Sequence, residues 1–141
     1  MEIPIQYWNE LAKQTILISS LLSGFSITVV ANLLVSDKND KLTNRILKAA
    51  TLSAGCFLVT LFAMTQLAMM TTPGFPETIT EKEFFMPRTI GILTLVVGLF
   101  SLTVMIALSG WTKSKKLGRY TTIVGVLTLL LIITTMLRIS I

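Results

Sequence analysis

Four long apolar runs, separated by short polar turns, dominate the pattern of hydrophobic positions along the chain. They cover about residues 16–35, 46–71, 89–111 and 117–137. Each has about 20 residues or more, the length at which an α-helix crosses the hydrocarbon core of a bilayer. The pattern therefore predicts an all-α membrane protein, with residues 1–141 forming a single domain of four transmembrane helices.

Two more polar stretches flank these runs. Residues 1–15 are too polar to span, so we expect an interfacial N-terminal helix that runs into the first span, with Tyr7 and Trp8 at the headgroups. Between the second and third runs, Thr80 and Glu83 have the spacing of a capping box, which predicts a short interfacial helix. Pro87 then suits the start of the third span.

Composition agrees with a membrane protein and excludes several classes of function. The chain is 52% hydrophobic and 13% charged, with a mean hydropathy of +0.77, whereas a soluble domain has about 25% charged residues. It has no His and one cysteine, Cys56, which rules out a disulfide framework and a His/Cys metal site within one chain. No span has an Asp, Glu, His, Lys or Arg well inside it to serve as acid, base or proton relay. We therefore predict no enzyme, no cofactor, no certain metal site and no nucleic-acid partner.

The first run differs from an ordinary lipid-facing span because it is rich in small and polar residues. These residues are Ser19, Ser20, Ser23, Gly24, Ser26, Thr28 and Asn32. Side chains of this kind favour a helix that is enclosed by other helices or faces water. Two interpretations stay open on spacing alone: a packing surface that includes Ser20, Ser23 and Gly24, or one wall of a pore.

The pore interpretation rests on a stripe of residues spaced three and four apart, which share one face of a helix. On the first predicted helix (α1, about residues 1–35), these residues form the α1 stripe, which comprises Lys13, Leu17, Leu21, Phe25, Thr28 and Asn32. If several copies surround an axis, rings of apolar side chains can gate by dewetting, and a polar ring at a mouth can select ions.

Short motifs in three of the spans resemble those of the Orai calcium-channel family. Leu21-Leu22-Ser23-Gly24-Phe25 is similar to the family's first-span motif, and Leu61-Phe62-Ala63 is similar to a stretch of its second span. Pro73 falls where the family's second helix ends, and Gly98 and Trp111-Thr112-Lys113 match the third span in order and separation. The fourth span gives no specific support.

The resemblance implies a homo-oligomeric ring, with six-fold symmetry as one option, in which the first helix is innermost. Leu21 and Phe25 then match the hydrophobic section and are candidate gate residues, Lys13 matches a basic position, and Asn32 falls at the selectivity filter, where the family has a carboxylate. Leu17 replaces the family's arginine. The expected function is therefore an Orai-like channel that passes inorganic cations with weak Ca²⁺ selectivity, because a neutral Asn holds Ca²⁺ weakly.

A second function from another class stays open, namely a non-conducting interaction or effector subunit, for example in a stress or phage-defence complex. We expect a bacterial protein that crosses the inner (plasma) membrane several times. Eight Lys and Arg lie in the loops after spans one and three against four on the other side, which predicts cytoplasmic loops and external termini. The family resemblance implies the reverse orientation.

Overall fold

The computed structural model describes residues 4–75 and 80–139, which are almost entirely helical. The helices are α1 (Ile5–Val35), α2 (Lys41–Met70), α3 (Glu81–Ser109) and α4 (Lys115–Ile139), with a single 3₁₀ turn at Gly110–Thr112 between α3 and α4. All four are long and apolar enough to cross a membrane. The prediction of an all-α chain with four candidate transmembrane helices is confirmed.

The first turns of α1 join the predicted N-terminal helix to the first span without a break. Residues 5–15 are the first turns of the same helix that forms the first span, and this helix has 31 residues, or about 46 Å at 1.5 Å per residue. Ala12 is fully buried with Met64 and Leu67 of α2, and Trp8 and Phe84 pack against this cluster. The ends of α2 and α3 thus offer an apolar surface to the first turns of α1. The first three residues of the chain lie outside the described part.

One helix, α3, covers both the predicted short interfacial helix and the predicted third span. The capping box of Thr80 and Glu83 is present, and the Thr80 N–H donates to Glu83 Oε2 at 3.0 Å. However, α3 continues through Pro87, which is buried in its second turn. The ring removes one hydrogen bond to the Glu83 carbonyl, and Glu83 is exposed, so polar surroundings can satisfy that oxygen. Glu77 of the predicted interfacial segment lies outside the described residues.

The central helix of the fold is α2, which packs against both α1 and α3, whereas α4 packs mainly against α3. Phe57 of α2 is fully buried with Leu102 and Met105 of α3. Gly98 permits this close approach, because a Cβ there would lie 2.9 Å from Phe57 Cε1. The chain therefore has α1 and α4 at its two edges, each with a large uncovered surface.

Hydroxyl groups join α2 to α3 at depth within the bundle. Thr60 Oγ1 and Thr94 Oγ1 lie 2.8 Å apart, and Ser101 Oγ donates to the Ala49 carbonyl at 2.7 Å. In a membrane such bonds contribute on the order of 0.6 kcal/mol each. They fix the register between the two helices that support α1 and α4.

Candidate pore face on the first helix

The face of α1 that packs on α2 is lined by serines. Ser19, Ser23 and Ser26 are all buried there. Ser26 Oγ lies 3.1 Å from Ser53 Oγ of α2, and Ser23 Oγ donates to the Ala54 carbonyl at 3.5 Å. Three of the hydroxyls that make the first span unusual therefore belong to the contact with α2.

The α1 stripe lies on the other side of the helix. At 100° per residue, the mean direction of its six residues is about 160° from that of the buried residues. All six are exposed in the subunit, with Leu17 at 62%, Leu21 at 67% and Phe25 at 53%. The structure therefore brings the stripe together as one continuous face that its own chain leaves uncovered.

One end of the α1 stripe carries an ion pair. Lys13 Nζ lies 3.1 Å from Glu10 Oε1, and both side chains are exposed. Sequence reasoning missed Glu10, although its position three residues before Lys13 puts it on the same face. This end therefore carries compensating charges, where the sequence predicted a single basic residue.

The other end of the stripe carries an uncharged amide. Asn32 is exposed, and it lies four residues before Ser36, the C-cap of α1. Between it and the apolar section lies Thr28, whose Oγ1 donates to the Gly24 carbonyl at 2.8 Å. The hydroxyl of Thr28 is thus satisfied by its own helix, which leaves the Asn32 amide as the polar group that faces outward near this mouth.

The three predicted packing residues fall on two different faces. Ser23 packs against α2, as described above. Ser20 is exposed and donates to the Leu17 carbonyl at 2.8 Å, while a methyl group at Gly24 would have no neighbour within 4 Å. A packing role for Ser20 and Gly24 stays a prediction, and it would need a second chain.

The α1 stripe can act as the lining of an enclosed space. Across residues 4–75 and 80–139, no group of three or more His, Cys, Asp or Glu side chains lies close enough together to hold a metal ion. Apolar side chains between an ion pair and an amide can exclude or admit water and ions, provided that other copies of the face enclose a space.

Comparisons of the chain with protein-family models, with curated proteins and with solved structures gave no match, so the likeness to the Orai family rests on the sequence motifs alone.

Proposed function

We propose that the protein is a homo-oligomeric, Orai-like ion channel in which α1 is the innermost helix and the α1 stripe lines the pore. The observation that supports this most is a coincidence of two independent patterns. Residue spacing and family likeness group the stripe, and its residues lie on the face of α1 that α2 and α3 leave uncovered.

The contrast between the two edge helices supports the same arrangement. On α4, the exposed face between Arg119 and Arg138 is mostly aliphatic, with residues such as Ile123 and Leu127 more than half exposed, which suits lipid. On α1, the exposed face also includes the Asn32 amide and the small residues Ser20 and Gly24 within the span. A ring with α1 at the axis and α4 at the rim would place the exposed face of α1 in water and the aliphatic face of α4 in lipid.

The proposed gate is the apolar section of the stripe. Leu17, Leu21 and Phe25 follow one another at four-residue intervals, so they span about 12 Å along the axis. Rings of these side chains would dewet and block ions until the pore widens. Asn32 would offer a ring of amide oxygens at the mouth. Without carboxylate charge this ring would pass cations with little preference for Ca²⁺.

Ion flux through purified protein in liposomes tests the proposal. We expect Phe25→Ser to raise cation flux severalfold over the wild type, because a hydroxyl ring would wet the constriction. Ile27→Ser is the matched control, since Ile27 is 47% exposed on the same helix but lies outside the stripe. Absence of conductance in both the wild type and Phe25→Ser would refute the channel.

Block by cadmium tests, by a second route, whether the stripe faces the axis. In a Cys56→Ala background, Thr28→Cys would form a ring of thiolates, which bind soft divalent metals. We expect Cd²⁺ to block flux through Thr28→Cys and to leave Ile27→Cys unaffected. Equal sensitivity of the two variants would show that α1 does not line the pore with this face.

A non-conducting interaction subunit is the second candidate, and the exposure of Ser20 and Gly24 favours it. Small residues four apart allow close approach of another helix in a membrane, and here they face outward. The size of the purified particle separates the two candidates. A stable homo-oligomer with α1 at its axis supports the channel, whereas a monomer or a complex with another protein supports the interaction subunit.

A further inference from the structure

An arginine–tryptophan pair lies where the first turns of α1 meet the end of α2 and the start of α3. The guanidinium carbon of Arg88 is 4.2 Å from the centroid of the Trp8 ring. Trp8 in turn meets Phe84 edge to face, with ring centroids 5.9 Å apart. The guanidinium therefore lies over the indole ring, and no hydrogen bond to another described residue occupies its N–H groups.

A groove of about 520 Å³ opens beside this pair. Its walls include the apolar side chains of Ile5, Met70 and Phe85, and it carries one cation, Arg88, and one carboxylate, Glu81. Within the described residues, the only ion pair joins Lys13 and Glu10, so Arg88 and Glu81 are not paired with each other. The groove thus combines an apolar wall with two separated charges of opposite sign.

The position along α3 puts this groove at the level of lipid headgroups. Residues 89–112 carry no charge and Lys113 follows them, so about 36 Å of helix separates Arg88 from the next ionisable residue. This length is close to the thickness of the hydrocarbon core, about 30 Å. Arg88 therefore lies at one boundary of the core, where phosphate groups are found.

We propose that the groove binds a phospholipid whose headgroup carries both a phosphate and a primary amine, as phosphoethanolamine does. The phosphate accepts two hydrogen bonds from the Arg88 guanidinium, and the ammonium donates to Glu81, two turns earlier on the same helix. The glycerol and the upper acyl chain lie along Phe85 and Met70. This binding is independent of whether the protein conducts ions.

Native mass spectrometry of the full-length protein tests the proposal with defined lipids. We expect phosphatidylethanolamine to be retained about fivefold more than phosphatidylcholine, whose quaternary ammonium has no N–H to donate. Arg88→Gln lowers retention of both lipids about tenfold, and Arg88→Lys lowers it less, because it keeps the charge but loses the bidentate geometry. Arg138→Gln is the matched control, since Arg138 lies near the same membrane boundary and is exposed.

Three results would overturn the site or its assignment. Equal retention by Arg88→Gln and Arg138→Gln would remove Arg88 from the site. A preference for phosphatidylethanolamine that persists in Glu81→Gln would remove the proposed amine contact. Displacement of the lipid by soluble phosphoethanolamine at millimolar concentration would identify a free metabolite as the ligand, because a lipid held along the apolar wall should resist it.

Discussion

Replacing Asn9 by alanine should loosen the attachment of α1 to α2. Asn9 is 8% exposed, and its Nδ2 donates to Thr71 Oγ1 at 2.9 Å and to the Ala68 carbonyl at 3.0 Å. These bonds join the second turn of α1 to the C-terminal end of α2, where the last carbonyls of a helix lack partners of their own. Asn9 thereby fixes the register that turns the α1 stripe away from α2.

The free-energy cost of Asn9→Ala depends on whether the former partners of Asn9 keep other hydrogen bonds. The Ala68 carbonyl still accepts from Thr72 Oγ1 at 2.7 Å, and Thr71 Oγ1 still donates to the Leu67 carbonyl at 2.9 Å. No buried partner is therefore orphaned. The third contact of Nδ2, to Thr72 Oγ1, is long at 3.4 Å, so the loss is close to that of two ordinary hydrogen bonds. At about 0.5–1.5 kcal/mol for each bond, and nearer the lower value in a membrane, Asn9→Ala should cost about 1–2 kcal/mol.

Unfolding in mixed micelles by added sodium dodecyl sulfate, followed by circular dichroism, measures this difference. The control is Asn44→Ala, since Asn44 is exposed and donates only to Asn39 Oδ1, at 3.2 Å on the surface. We expect Asn44→Ala to change the free energy of unfolding by less than about 0.5 kcal/mol. Equal effects of the two substitutions would show that the Asn9 bonds do not hold α1 in place.

Substitutions at Gly98 and Asn32 test the helix contact and the proposed filter, respectively. Gly98→Ala should destabilise the fold by about 1–3 kcal/mol in the same unfolding assay, because its Cβ would meet the buried ring of Phe57. By contrast, a Cβ at Gly55 would have no neighbour within 4 Å, so Gly55→Ala should stabilise α2 by up to about 1 kcal/mol. A similar loss of unfolding free energy in both variants would contradict the packing account. In liposome flux assays, Asn32→Glu should raise the preference for divalent cations, and Asn32→Ala should alter selectivity without dissolving the oligomer. Conduction like the wild type in both variants would exclude Asn32 from the filter.

The four helices could be predicted because hydropathy over about 20 residues is a strong signal. Their ends could not, since hydropathy reports depth in the membrane and helices continue wherever their side chains find a surface. Residues 5–15 are polar on average, yet Trp8 and Ala12 find apolar partners at the ends of α2 and α3. Similarly, the capping box at Thr80 is visible in the sequence, whereas no local pattern shows that the helix continues through Pro87.

The polar content of α1 illustrates the same limit for the candidate site. Ser19 and Ser20 are adjacent in sequence but about 100° apart on the helix, so one is buried against α2 and the other is exposed. Sequence spacing groups the stripe on one face of the helix, but it does not tell which serines are buried against α2.

Because several serines of α1 pack against α2, other residues must distinguish a pore from a lipid-facing surface. Lys13 and Asn32 are about 28 Å apart along the helix, close to the thickness of the hydrocarbon core. The exposed face is therefore polar at both boundaries and apolar between them, a profile that lipid also tolerates. The apolar centre must therefore distinguish the two environments. If the face meets lipid, the hydroxyl of Phe25→Ser would hydrogen-bond to a carbonyl of its own helix, and no flux would result. If the face lines a ring, the same hydroxyl would let water enter the axis. Phe25→Ser compared with Ile27→Ser therefore tests the position of α1 more directly than any change to its serines.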